Sequence, residues 1–117
     1  MNHKLKGPYS KFCELADTVR ALPSLPRLTP VEEFVLNKLI ILWGQDANVP
    51  VVGFMRTFKD ISPTTAHRVI VRLKKIGFVS MQEHEEDGRR KFVIPTGLCE
   101  QYVAQMNSAL ISAQTSH

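Results

Sequence analysis

Residues 59–78 read Lys-Asp-Ile-Ser-Pro-Thr-Thr-Ala-His-Arg-Val-Ile-Val-Arg-Leu-Lys-Lys-Ile-Gly-Phe, and this stretch decides how the rest of the chain is read. It is a short turn, a capped basic helix and a stop. Ser62 is an N-cap candidate, and Pro63 suits the first helical position, where its missing N–H costs nothing. Gly77 suits the residue just past the helix end. On a helical wheel with Ala66 at zero, Val69, Ile70, Leu73 and Ile76 share one apolar arc. The opposite arc carries Thr64, His67, Arg68, Val71, Arg72 and Lys75. A helix of this kind buries one side and offers hydroxyl, imidazole and guanidinium groups to a partner. Alone, such a face reads as a solvated charged surface. The sequence that follows shifts the balance.

Beyond Gly77, residues 78–83 and 90–94 are strand candidates bracketing Glu85-Glu86-Asp87-Gly88. Asp-Gly is a strong hairpin signal, because both residues accept positive φ. Upstream, residues 52–58 predict a short helix, with the turn before Ser62 beginning at Asp60-Ile61. Two helices across a tight turn, the second basic, form a helix-turn-helix pattern, and a hairpin directly after it makes a winged helix. Val49-Pro50-Val51 is too short for more than a bridge to that sheet.

Further upstream, Thr29-Pro30-Val31-Glu32 is a helix opening with a capping-box carboxylate in place. The helix that follows, to about Trp43, is apolar on most sides and is expected to be the central buried helix. An N-terminal helix over 10–22 is expected to be capped by Ser10, with Phe12, Leu15, Ala16 and Val19 in one stripe. Pro23 and Pro26 then enforce an extended connector. After Pro95, Thr96 can cap a last helix over 96–113 with the stripe Leu98, Cys99, Tyr102, Val103, Met106 and Leu110. The expected architecture is α+β, mostly helical: one winged helix-turn-helix domain over 1–117. Its core occupies 28–95, with a two-stranded wing and flanking N- and C-terminal helices.

Composition fits that reading. At 117 residues and 44% hydrophobic content the chain suits one globular domain with a modest core. The longest apolar run, 39–43, is too short to span a bilayer, and the first residues have no apolar signal region. A soluble cytoplasmic protein of bacterial type is therefore expected. Between Arg56 and Lys91, nine basic residues meet five acidic ones, which accounts for the whole net charge of +4. A surplus concentrated in one third of the chain is the electrostatic footprint expected for a polyanion. Cys13 and Cys99 form no C-x-x-C pair, and the four histidines lack metal-ligand spacing, so neither metal nor other cofactor is expected.

Leu28-Thr29-Pro30 followed by Val35-Leu36 and Leu39, the Ser62–Val79 helix and exit, and Asp87-Gly88-Arg89-Arg90-Lys91 come in an order that resembles the MarR-type winged-helix transcription regulators. The likeness covers residues 28–96. It implies a recognition helix over 62–76 entering the DNA major groove and a wing over 83–91 near the minor groove. Apart from the resemblance, the apolar stripes of the first and last helices lead to an expected cytoplasmic, nucleoid-associated homodimer through those helices. A two-fold dimer reads a pseudo-palindromic duplex site; a small-molecule effector is left unidentified.

The candidate DNA-binding residues are Ser62, Thr64, Thr65, His67, Arg68, Arg72, Lys75, Arg89, Arg90 and Lys91. Base edges are read by the first turns of a recognition helix, so Thr64, Thr65, His67 and Arg68 fall to bases. Arg68 suits bidentate contact to guanine, and Val71 suits a thymine methyl group. Arg72 and Lys75 fall to phosphates. Ser62 and the amides at the helix start also suit a phosphate; for Ser62 and for Thr65 the contact reading stands level with helix capping alone. Arg89 suits a narrow minor groove, and Arg90 and Lys91 suit phosphates or the solvent face of a strand. Glu83, Glu85 and Glu86 oppose that contact by their charge.

No catalytic constellation stands out: a G-x-S-x-G elbow, a phosphate-cradling glycine loop and an H-E-x-x-H pair are all missing from the sequence. No enzyme activity is therefore expected. Trp43 and Tyr102 read either as core or as the lining of an effector pocket. Two alternatives to a sequence-specific regulator stand: a DNA-binding replication or partition factor, and a winged helix used for protein–protein contact.

Overall fold

The computed structural model describes residues 3–83 and 90–115. It divides into two compact units, one of residues 28–97 and one of the segments 1–27 and 98–117.

The first unit opens with α1 (Pro30–Gly44). Its capping box is complete: Glu32 N donates to Thr29 Oγ1 at 3.3 Å, and Thr29 N donates to Glu32 Oε1 at 2.9 Å. Two amides left without helical partners are thereby satisfied, which stabilises the start by about 1 kcal/mol. Val35, Leu36 and Leu39 are fully buried, as expected of a core helix. The helix is not buried all round, however. Val31, Phe34 and Ile41 are exposed on one face, where Lys38 lies over the Phe34 ring. Reading every apolar residue as core overstated its burial. The helix stops at a Schellman turn in which Asp46 takes φ 58, Asp46 N donates to Trp43 O and Ala47 N donates to Leu42 O.

The second helix, α2 (Val51–Met55), is shorter than the expected 52–58. Thr57 ends it, its hydroxyl and amide both donating to Phe54 O at 2.7 and 3.1 Å. Phe58 then turns back onto the Phe54 ring (5.1 Å between centroids) and the Phe34 ring (5.7 Å). Edge-to-face and tilted ring pairs of this kind are favourable, and they hold Phe58 outside the helix.

The third helix, α3 (Pro63–Lys75), follows the wheel. Ala66, Val69, Ile70 and Leu73 are buried at 4% exposure or less. Truncating Leu73 to alanine would cost about 2–5 kcal/mol through lost burial and the cavity left behind. The helix ends in a second Schellman turn: Gly77 takes φ 95, Gly77 N donates to Lys74 O, and Phe78 N donates to Leu73 O at 3.0 Å. Leu73 and Phe78, the side chains that bracket this motif, are both fully buried.

Strands β1 (Val79–Glu83) and β2 (Lys91–Pro95) pair antiparallel, with Val79 opposite Pro95 and Glu83 opposite Lys91. Alternation places Val79 and Met81 on the face that packs toward α3, and Gln82 and Phe92 on the other. The expected bridge is present: Pro50 pairs with Phe92, and Val93 N donates to Val49 O at 2.8 Å. Thr96 closes the hairpin root, its hydroxyl donating to Gly77 O. Helix, turn, helix and two-stranded hairpin in this order are a winged helix.

In the second unit, a 3-10 turn (His3–Leu5) precedes α4 (Pro8–Arg20), followed much later by α5 (Gly97–Thr115). The N-terminal helix starts at Pro8 with Gly7 as its cap residue, not at Ser10. Pro8 takes the first position, and Ser10 is already inside, its hydroxyl donating to Gly7 O at 3.1 Å. On α5 the buried residues are Cys99, Tyr102, Ala109 and Ala113, whereas Leu110 and Ile111 are exposed. The expected stripe holds at its start and then departs, because small alanines occupy the buried line. Among the described residues, no helix is long and apolar enough to cross a membrane.

Candidate nucleic-acid interface

Ser62 starts the candidate surface. Its Oγ accepts the Thr65 amide at 3.1 Å and lies 3.0 Å from Thr65 Oγ1, to which it donates. Capping is therefore realised, and both hydroxyls take part in it. Ser62 stays exposed at the positive end of α3, so a phosphate there would share an occupied hydroxyl.

Along the helix, Thr64, His67, Arg68 and Lys75 are all exposed, and Val71 is 49% exposed among them. A helix of 13 residues is about 20 Å long, and with side chains is about as wide as the major groove. The structure thus brings together the base-edge candidates on one accessible face, with Thr65 half-buried at its margin.

Arg72 departs from the rest. Its Nε lies 3.5 Å from Glu32 Oε2 at the start of α1, and its side chain is half exposed. The expected phosphate ligand therefore carries an ion pair inside the fold. Glu32 was legible in the sequence for its capping role alone.

Across from the helix, Arg90 and Lys91 are exposed at the start of β2. Lys91 faces Glu83 directly across the ladder, which tempers the positive charge it offers. Arg89, with the tip residues of the expected wing from His84 onward, lies outside the described residues. Between helix and wing runs a groove of about 620 Å³. Lys74, Arg90 and Lys91 supply charge along it, His67 adds an imidazole, and Val52 and Val71 form part of its apolar floor. Among the described residues no carboxylate lines it. Lys74 and Val52 were missed by the wheel, since Lys74 falls beside the buried arc and Val52 lies on the preceding helix. Their signal is the groove itself, which exists only once hairpin and helix are placed.

A second hollow of about 480 Å³ lies on the other face of the hairpin, lined by Trp43, Asn48, Gln82, Glu83 and Phe92 among others. Trp43 borders this hollow, and its indole N–H is committed to Val93 O at 3.1 Å. Tyr102 is buried.

The two thiols differ sharply. Cys13 is exposed, while Cys99 is buried and its thiol is pushed up to about 11 by burial and, secondarily, by the charge of Glu100.

No protein-family model and no curated protein sequence matches this chain. Among solved structures it is similar to the crystal structure of a probable transcriptional regulator from Pseudomonas aeruginosa. The identity is 20%, over 91% of this chain and 76% of that one, with a TM-score of 0.53. At that identity the likeness establishes the fold.

Proposed function

We propose that this chain is a sequence-specific, double-stranded-DNA-binding transcription regulator of the MarR type. The observation that carries the reading is the exposed face of α3, where Thr64, His67, Arg68, Val71 and Lys75 stand clear of a capped, rigid helix beside a wing. That face suits the major groove, and the basic groove beside it suits the phosphate backbone. The solved structure it resembles is described as a probable transcriptional regulator, which supports the same class. Ser62, Thr65, Arg72, Arg90 and Lys91 complete the contact surface, with Arg89 at the wing.

The proposal extends to one cytoplasmic winged-helix domain acting as a homodimer through its first and last helices. Leu5, Tyr9, Leu110 and Ile111 are exposed apolar side chains on that unit. Burial against a second copy would remove them from water. A two-fold dimer reads half-sites about one helical turn apart, on the order of 34 Å. Sedimentation at binding concentrations tests this directly: Ile111→Lys is expected to give a monomer, and a wild-type monomer overturns the dimer.

Selection of bound duplexes from a random pool at physiological salt tests the function itself. A two-fold-symmetric enriched motif is the expected result. Salt-sensitive binding without enrichment would instead describe a protein that coats DNA. A second reading, protein–protein contact, draws on Val52 at 57% and Val71 at 49% exposure, adjacent apolar side chains on the same groove. Absence of any duplex binding would favour it.

A further inference from the structure

The Glu32 carboxylate serves two elements at once. Oε1 accepts the Thr29 amide at 2.9 Å, while Oε2 lies 3.5 Å from Arg72 Nε on α3. Glu32 is 7% exposed, the one buried charged residue among the described residues. Arg72 is held at one edge of its guanidinium yet keeps half of its side-chain surface in solvent. A carboxylate with both oxygens committed cannot swing away. An arginine held at Nε has its two terminal nitrogens left for an incoming acceptor, and these are the donors that match a phosphate.

We infer that Glu32 is a positioning residue for nucleic-acid binding: it holds Arg72 by Nε so that the terminal nitrogens meet a backbone phosphate beside the recognition helix. The inference rests on the DNA-binding reading above and adds to it a residue outside the helix-turn-helix. Two effects compete. The negative charge of Glu32 repels phosphate, and the ordering of Arg72 lowers the entropy lost when the contact forms. Here the charge is offset by the amides at the start of α1 and by Arg72 itself, so ordering prevails. Arg68, one turn earlier on the same helix, has no carboxylate holding it among the described residues, which suits a side chain that must adapt to a base.

The experiment measures affinity for a selected duplex as a function of salt, for wild type, Glu32→Gln, Arg72→Ala and the double variant. Glutamine keeps an oxygen for the Thr29 amide and loses the ion pair. Glu32→Gln is expected to bind about fivefold more weakly, with the slope of log affinity against log salt reduced by up to about 0.9. Adding it to Arg72→Ala should then cost nothing more. Thr29→Ala removes the hydroxyl half of the capping box without touching Arg72. It should lower the melting temperature and leave affinity and salt slope unchanged, which separates positioning from helix stability. Unchanged or tighter binding by Glu32→Gln overturns the inference alone, as does strict additivity with Arg72→Ala or a Thr29→Ala loss equal to that of Glu32→Gln. Wild-type protein that binds no duplex overturns the DNA-binding reading and this inference with it.

Discussion

Trp43 donates its indole N–H to the carbonyl of Val93, 3.1 Å away across fifty positions of sequence. The bond fastens the end of α1 to the middle of β2, the wing strand that lies between β1 and the Val49–Pro50 bridge, at the place where Val93 N also reaches Val49 O. The N–H and C=O of Val93 are thus both satisfied by the segment that precedes the helix-turn-helix, which holds the wing root along one edge of β2.

Replacing Trp43 with phenylalanine should remove the bond and little of the packing. We expect a loss of about 1 kcal/mol in denaturant unfolding, and about 2–4 kcal/mol for Trp43→Ala. Far-ultraviolet dichroism is the appropriate probe, since Trp43 is the single tryptophan. An equal cost for both variants would mean that the hydrogen bond, not the ring, is what the site uses.

Ser62 separates capping from binding when it is exchanged for two different residues. Ser62→Ala should cost about 1 kcal/mol of stability. Ser62→Asp retains an N-cap acceptor and places a negative charge where a phosphate would sit. It should fold as stably as wild type and bind duplex more weakly. Undiminished binding by the aspartate variant would leave Ser62 with its structural role only.

Arg68 stands exposed on the second turn of α3. Arg68→Ala should cost about 1–3 kcal/mol on the preferred site and relax one base preference. A parallel panel of sites with single substitutions reads this out. Equal loss on every sequence would reassign Arg68 to phosphate.

The cysteines predict a two-speed thiol titration. Cys13 should react with a disulfide reagent at once at pH 8, and Cys99 only on unfolding, since burial raises its pKa from 9.0 to about 11. The sign of the linkage follows from that direction. The folded state holds the Cys99 proton more tightly than the unfolded chain, so this contribution to stability is complete below about pH 9 and is lost as pH rises toward 11. A pH series of unfolding midpoints checks it, and a flat profile across that window would contradict it.

Much of this is legible in the sequence, and the reason is locality. Thr29, Glu32 and Ser62 announce helix starts through bonds made within three residues. The α3 wheel also held, because its polar and apolar arcs are cleanly separated. In α1 the arcs are not separated, so the sequence could not say that Val31, Phe34 and Ile41 would face outward. On α5 the buried line runs through Ala109 and Ala113, residues that periodicity counts weakly beside Leu110. The Glu32–Arg72 pair was hidden for a different reason. It joins two helices whose packing no local pattern encodes, and Glu32 already had a sufficient local explanation.

The Schellman turn at Gly77 makes chain length at that point a fixed quantity. Leu73 and Phe78 are clamped to one another, and Val79 is the first residue of the ladder, so no spare residue separates α3 from the wing. A one-residue insertion there would exchange the two faces of β1, turning Met81 outward and Gln82 inward. Substitutions along the exposed face of α3 can therefore change its chemistry, while the spacing between that face and the hairpin is inherited unchanged.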